Sequence, residues 1–281
     1  MPELPEVETV ARDLRRHGIE GRVVRRVRVY WPRTVAGLSP AAFSRRLTGR
    51  RIVRIGRRAK YLVFNLAHGS VLLVHLRMTG RFVLAPADVL RDPHERLALE
   101  LDDGRTVRFL DSRKFGRWTL TAAPGTILDK LGPEPLESGF RAPEFAAELK
   151  RRRRQIKPLL LDQTFVAGIG NIYADEALWE AGLHPRRLAS GLSGKEAHRL
   201  HAAIRLVLRR GVANAGTSLG AGRANFYSVA GRRGRNQDGL KVFRRAGAPC
   251  PRCGAIIGRI VVGQRGTHLC PACQRMGGRH M

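Results

Sequence analysis

Near the start of the chain, apolar positions recur at helical spacing. Val7, Val10, Ala11 and Leu14 fall on one face of the segment 6–17. Pro5 suits an opening helical turn, where a missing N–H is no loss, and Glu6 and Glu8 suit the positive end of the helix dipole. A helix is therefore predicted within a few residues of Met1. From residue 22 to about 120 the pattern changes to short β-rich runs at 23–31, 51–55, 61–66, 71–76, 81–84, 97–101, 106–110 and 117–121, broken by Gly, Pro and Asp-Gly steps. Asp103-Gly104 marks a hairpin. Eight such runs without intervening long helices predict a β-sandwich, with one short helix at 40–47.

Residues 133–142, rich in Pro and Gly, read as a linker. Helical periodicity then returns at 143–154, 156–161, 172–181 and 193–210, the last opened by a capping box of Ser193 and Glu196. Residues 211–249 hold eight Gly, seven Lys or Arg and one acid, and read as a mobile basic loop. The predicted class is α+β. A helix-flanked β-sandwich spans 1–132, a linker 133–142, a helical domain with the basic Gly-rich loop 143–245, and a cysteine module 246–281. There is no internal repeat.

Charge narrows the partner. Lys and Arg number 52 against 23 Asp and Glu, a net of +29. Residues 1–140 hold 26 basic and 15 acidic side chains, a net of +11, and residues 141–281 hold 26 and 8, a net of +18. Both halves attract polyanions, and the foremost polyanion of a cytoplasm is nucleic acid, bound partly through counterion release. An arginine-rich soluble enzyme is the competing reading, since only 7 of the 52 are Lys. A 43% apolar share supports a folded core and argues against a disordered polycation. No apolar run approaches the ~18 residues of a membrane span. The opening residues, with Glu3, Glu6 and Glu8, lack the apolar stretch of a signal peptide, so a cytoplasmic location is expected.

The four cysteines form two pairs, Cys250-Pro-Arg-Cys253 and Cys270-Pro-Ala-Cys273, separated by sixteen residues. Two facing loops of this kind bring four thiolates to the corners of a tetrahedron, the arrangement of a closed structural zinc site. Between them 255–262 is β-rich and 264–266 reads as a turn. Two disulfides or a redox pair are the alternatives. The first needs an oxidising compartment, and the second a βαβ frame that this segment lacks.

Taken together, the motifs resemble the bacterial formamidopyrimidine-DNA glycosylase (Fpg or MutM) family of base-excision repair. The resemblance rests on Pro2-Glu3-Leu4-Pro5-Glu6-Val7-Glu8-Thr9, Arg57-Arg58-Ala59-Lys60-Tyr61-Leu62, His75-Leu76-Arg77-Met78-Thr79-Gly80, Asp111-Ser112-Arg113-Lys114-Phe115-Gly116, Gly168-Ile169-Gly170-Asn171-Ile172-Tyr173-Ala174 and Gln264-Arg265-Gly266-Thr267, in order, with the cysteine frame. It spans nearly the whole chain. It implies a sandwich, a helical domain with a helix–two-turn–helix motif, and a zinc finger holding one structural Zn2+. Two departures stand out. Ser112 replaces a common Pro, and the region that caps an oxidised purine in the family is here a long basic stretch, 216–245.

The resemblance also implies roles. Pro2, exposed as a terminal secondary amine once Met1 is removed, is the expected nucleophile. A free α-amino group titrates near ~7.7–8.0, so a useful neutral fraction exists at cellular pH. It would attack C1′ of the damaged nucleotide, expel the base and leave an imine, and β- and δ-elimination would then cut the strand. Glu3 would shuttle protons at the sugar, with Glu6 in support behind it. Lys60 would contact phosphate near the lesion, and Arg265 would clamp phosphates around the flipped nucleotide. Lys157 would reach the target nucleotide and Asn171 would grip its phosphate. Met78, Arg113 and Phe115 would fill the space left by the extruded base. His75 and His94 would touch the DNA backbone. Competing readings are core packing for Met78 and Phe115, a solvated strand end for Lys60 and a solvated face for 151–154.

The implied activity is a bifunctional DNA glycosylase and AP lyase for 8-oxoguanine and formamidopyrimidines. The implied partner is double-stranded DNA with oxidised bases or abasic sites, met by a monomer. The alternatives are an endonuclease VIII-like enzyme for oxidised pyrimidines and a non-catalytic zinc DNA-binding protein. Leu4 and the trio of Met78, Arg113 and Phe115 favour the purine branch.

Overall fold

A computed structural model describes residues 1–86, 88–220 and 226–276. They fall into two compact units, Met1–Lys130 with Val212–Gln237, and Leu131–Gly211 with the chain from Asp238 onward.

The first unit contains α1 (Leu4–Arg16), β1 (Val24–Val29), β2 (Val35–Ala36), α2 (Pro40–Leu47), β3 (Ile52–Arg58), β4 (Tyr61–Leu66), β5 (Val71–His75), β6 (Arg81–Pro86), β7 (Glu95–Leu101), β8 (Arg105–Leu110), β9 (Arg117–Thr121) and α3 (Gly125–Leu128). The strands form a four-stranded sheet, β1-β7-β8-β6, and a five-stranded sheet, β2-β9-β5-β4-β3. The eight predicted runs correspond to β1 and β3 to β9. The two-residue β2, too short to leave a period, pairs parallel to β9. Alternation in β4 buries Leu62, Phe64 and Leu66, as a strand with one face on the core requires. Phe64 and Trp118 of one sheet meet Phe82 and Phe109 of the other, with ring centroids 5.5–6.2 Å apart. Val7, Val10, Ala11 and Leu14 of α1 bury their stripe in the same core.

Beyond the helix that ends at Ala213 the basic segment is irregular, as expected, with one 3-10 turn at Asn236–Gly239 among the described residues, but it is packed where a mobile loop is predicted. Thr217 and Ser218 are buried, and Phe226 and Val229 enter the core of the first unit. Acceptors on α1 hold the backbone, as Glu6 takes the Thr217 N–H at 2.7 Å and Asp13 the Val229 N–H at 3.1 Å. Two core residues among many glycines leave no periodic signal. Arg223, Ala224 and Asn225 of this segment lie outside the described residues.

The second unit contains α4 (Ala142–Lys150), α5 (Ile156–Leu161), α6 (Asn171–Glu180), most of α7 (Gly194–Ala213) and the hairpin of β10 (Gly258–Val262) and β11 (Arg265–Leu269). The capping box forms as expected. Glu196 Oε2 accepts the Ser193 N–H at 2.8 Å, and Ser193 Oγ accepts the Glu196 N–H at 3.3 Å. The hydrogen-bonded Arg187 guanidinium holds the Glu196 carboxyl down at about 2. Helix α4 ends at Lys150, four residues before the predicted end. The arginines beyond it pair with acids, Arg151 and Arg152 with Glu148 and Arg154 with Asp162. The finger turn is Gly263-Gln264, so Arg265 opens β11 instead of occupying the turn.

Candidate active site and metal centre

The first turn of α1 is built around two carboxylates. Glu3 is the N-cap, and its N–H donates to Glu6 Oε2 at 2.8 Å while its own carboxylate accepts from the Glu6 N–H. This reciprocal closure satisfies two backbone donors that a helix start leaves open. Glu3 is 3% and Glu6 1% exposed, and Pro2, directly before the cap, is buried with them. Glu6 Oε1 also takes the Thr217 N–H, so this one carboxylate ties the start of the helix to the 216–218 backbone. Gly216 passes so close, at φ +81°, that an added Cβ would stand 3.0 Å from the Glu6 side chain. Such a terminus places proton acceptors beside the nitrogen that Met1 removal would free.

Lys60 follows Ala59, at φ 52°, in the turn between β3 and β4 and is only 5% exposed, unlike a solvated strand end. His75, at the end of β5, is also buried. Burial, with the charges of Arg77 and Lys60, pushes its imidazole down to about 3. The Arg77 N–H donates to His75 Nδ1 at 3.0 Å, so the neutral ring carries its proton on Nε2. His94 is half-buried and its N–H donates to Asp92 at 2.6 Å.

Met78 stands on the β5–β6 loop, Arg113 and Phe115 on the β8–β9 loop. Met78 is 36% and Phe115 46% exposed, so neither is a core residue. The Arg113 guanidinium lies 4.9 Å from the centroid of the Phe115 ring. Asp111, buried at the root of the second loop, binds both loops. Its carboxylate accepts from Thr79 Oγ1, the Arg113 N–H at 3.2 Å and the Gly116 N–H at 2.7 Å. Gly80 and Gly116 leave room for the Phe109 ring, which an added Cβ would meet at 2.7 and 2.4 Å. Nothing local in the sequence around Asp111 signals this bridging role.

In the second unit, buried polar contacts dock the finger hairpin on the helices. Lys157 of α5 and Asp175 of α6 form an ion pair at 2.6 Å with both side chains at 0% exposure. Lys157 Nζ also donates to Thr267 Oγ1 at 2.7 Å and to the Gly266 carbonyl at 3.2 Å. Asp175 Oδ2 accepts the His268 N–H at 2.9 Å. Asn171 Nδ2 donates to the Gly266 carbonyl at 3.0 Å, and Gly263 packs where an added Cβ would stand 2.8 Å from Pro158. Arg265, exposed, projects from this clamped hairpin. Lys157 and Asn171 thus both meet the Gly266 carbonyl, and Lys157 the Thr267 hydroxyl as well, directly beside Arg265. The next carboxylate, Glu176, accepts N–H groups of Lys241, Val242 and Phe243 at 2.9–3.1 Å.

The four cysteine sulfurs lie within 4.8 Å of one another, with separations of 3.4 to 3.9 Å among Cys250–Cys273, Cys253–Cys270 and Cys253–Cys273. Disulfides require about 2.05 Å. A tetrahedron of thiolates about 2.3 Å from a zinc ion has edges of about 3.8 Å, which these separations bracket. Burial pushes the Cys250 thiol up, but N–H groups of Arg252 and Cys253 and the Trp179 indole outweigh it and leave it down at about 6. Burial and the neighbouring sulfurs push Cys273 up to about 12. Four sulfurs this close hold their charge together only around a cation, and an all-sulfur donor set fits zinc. One structural zinc closes the finger, with no ligand position left for substrate.

Comparison with known proteins adds the lineage. Residues 1–118 match the formamidopyrimidine-DNA glycosylase N-terminal domain, residues 131–221 the H2TH domain of the same enzymes, and residues 247–275 a zinc finger found in FPG and IleRS. The chain is 50% identical to a formamidopyrimidine-DNA glycosylase of Roseiflexus sp. strain RS-1 over 277 residues, 98% of this chain and all of the relative. It is 44% identical to that of Protochlamydia amoebophila, again over 98% of this chain and all of the relative. Among solved structures, Lactococcus lactis Fpg in complex with DNA containing an abasic site superposes with a TM-score of 0.89 at 38% identity, covering 97% of this chain and 99% of that one. The wild-type Lactococcus lactis Fpg (MutM) with N7-benzyl-Fapy-dG DNA gives 0.89 at 38%, covering 98% and 100%. With identity this high over the full length, and with three domain matches in the order read from the motifs, the chain belongs to the formamidopyrimidine-DNA glycosylase family.

Proposed function

We propose that this protein is a DNA glycosylase for oxidised purines with AP lyase activity, acting as a monomer in base-excision repair in the bacterial cytoplasm. The observation that carries the reading is the buried Glu3–Glu6 carboxylate pair closing the first helical turn directly behind Pro2. With Met1 removed, the Pro2 nitrogen attacks C1′ of the everted nucleotide, the C1′–base bond breaks, and the base leaves with a proton. Glu3 handles the protons exchanged between ring oxygen and imine. Glu6 does not touch the substrate and holds the Glu3 backbone through its N–H. The imine acidifies the neighbouring sugar protons, and successive β- and δ-elimination expels both phosphates.

Lys60 and neutral His75 offer a cation and an Nε2–H donor for phosphates, and His94 contacts the backbone nearby. Met78 enters the base stack, Arg113 pairs with the orphaned base, and Phe115 stacks beside it. In the second unit Arg265 holds phosphate. The burial of Lys157 and the Asn171–Gly266 bond support a positioning role for both, since each holds the hairpin that carries Arg265. Zinc lends that hairpin its rigidity and takes no part in bond breaking.

The test is release of free base from duplexes carrying 8-oxoguanine or thymine glycol. The reading requires faster release of the purine. Preference for thymine glycol would move the protein to the pyrimidine branch, and no release of either base would leave only a DNA-binding protein.

A further inference from the structure

A cavity of about 650 Å³ opens on the first unit, away from the first turn of α1. The later turns of α1, with Arg12, Asp13 and Arg16, form one wall, and the segments around 212–215 and 228–235, with Arg232, Arg233 and Arg235, form the other. Five arginines therefore line one concavity, with a single acid among its described lining residues. That acid, Asp13, is already committed to the Val229 N–H. Arg12 pairs with Glu8, and Arg233 donates to the Gly220 carbonyl. Arg16, Arg232 and Arg235 have no side-chain hydrogen bond or ion pair among the described residues.

Several guanidinium groups elsewhere in this arginine-rich chain pair with acids. Arg151 and Arg152 share Glu148, Arg154 takes Asp162, Arg28 takes Glu100 and Arg105 takes Asp103. Like charges gathered in a concavity repel one another and raise the local positive potential. A solvated arginine face would spread them over a convex surface. Apart from His17 the remaining wall residues are small, including Val212, Ala213, Ala215 and Ala230, and among the described residues no Phe, Tyr or Trp lines the cavity. The chemistry offered is for phosphate oxygens without base recognition. Along α1 the wall runs from Thr9 to Arg16, roughly 8 to 18 Å along the helix axis from Leu4 at 1.5 Å per residue.

We infer that this cavity is a second phosphate-chain binding site, distinct from the place where the damaged nucleotide reacts. Its ligand is a run of phosphate groups, either a free inorganic polyphosphate or the backbone of a nucleic-acid segment other than the one being repaired.

The experiment titrates inorganic tripolyphosphate into the full-length wild-type protein and two triple variants, R16E/R232E/R235E and R16Q/R232Q/R235Q. The glutamine variant removes charge without reversing it and guards against misfolding. Any withdrawal of finger zinc by the probe affects all three proteins alike and cancels in the comparison. One tripolyphosphate per chain is expected, with affinity falling at least about tenfold in both variants, as loss of three partly exposed charge contacts implies. Equal affinity in wild type and variants would overturn the site.

The titration is then repeated on protein covalently trapped by borohydride on a short lesion duplex. Retained tripolyphosphate affinity is expected. Its loss on trapping would place the cavity on the path of the reacting duplex and overturn a separate site. Competition by an undamaged duplex against tripolyphosphate on the trapped protein would identify nucleic acid as the source, and its absence a free polyphosphate. If no adduct forms at all, the enzymatic reading fails, while the comparison on free protein still decides the cavity.

Discussion

Replacing Asp175 with Asn is the sharpest perturbation of the second unit. The substitution keeps shape and an acceptor for the His268 N–H but removes the charge 2.6 Å from Lys157. The Lys157 ammonium, at 0% exposure, then loses its one described carboxylate partner and keeps Thr267 Oγ1 and the Gly266 carbonyl as acceptors. Breaking a buried pair from one side costs about 3–5 kcal/mol. The retained acceptor places Asn at the lower end, and ~3 kcal/mol is a factor of about 150 in the folding equilibrium. Because the chain has two compact units, one global midpoint is not the right observable. Zinc release and the fluorescence of Trp179, whose Nε1 lies 3.4 Å from Cys250 Sγ, report on the second unit during denaturant titration. Both should shift to lower denaturant together, and affinity for abasic-site duplex should fall because the Arg265 hairpin loosens. The pair Lys157→Met with Asp175→Asn, which keeps the acceptor for the His268 N–H, should recover much of the stability but not the DNA affinity, since Met cannot donate to Gly266 and Thr267. Zinc release from Asp175→Asn at the wild-type denaturant concentration would refute this account of the hairpin.

Acid should destabilise the first unit through His75. Its folded value of about 3 lies below the ordinary 6.5, so the unfolded chain binds more protons between those limits. This stability is whole above pH ~6.5 and is lost as pH falls towards 3, by up to ~1.4 kcal/mol per unit. The variant His75→Gln should flatten that limb of a stability–pH curve, and an unchanged slope would argue against a buried neutral imidazole. Gly216→Ala should destabilise by about 1 kcal/mol or more, from its left-handed backbone and the crowded Glu6, measurable by thermal melting. Elemental analysis should find about one zinc per chain, and chelation should unfold the finger and abolish tight DNA binding. Active protein without zinc would reject the metal's structural role.

Periodic features were legible in the sequence. The stripe of α1, the alternation in β4 and the Ser193–Glu196 box all carry their signal within a few residues. The cysteine spacing was equally local, and the structure draws the four sulfurs together. Contacts between distant residues were not legible. Asp111 joins two loops, Asp175 and Lys157 dock the finger, and Glu6 holds Thr217 from 211 positions away. Each uses an ordinary charged residue whose partner is chosen by the fold. The basic segment misled for a related reason. Its glycines and arginines describe a loop, while Phe226 and Val229, unremarkable in a list of residues, anchor it in the core. The Gln264–Gly266 turn shifted because Gly263, at φ +53°, takes the tight position against Pro158 and frees Arg265 to begin a strand.

The central claim is that the terminal imino nitrogen of the processed chain is the nucleophile. Borohydride reduction during reaction with a duplex bearing one 8-oxoguanine, followed by peptide mapping, tests it most directly. The account predicts one covalent adduct per chain, carried by residue 2, and none when that nitrogen is acetylated or Met1 is retained. An adduct on a lysine, or undiminished trapping by the blocked protein, would contradict it.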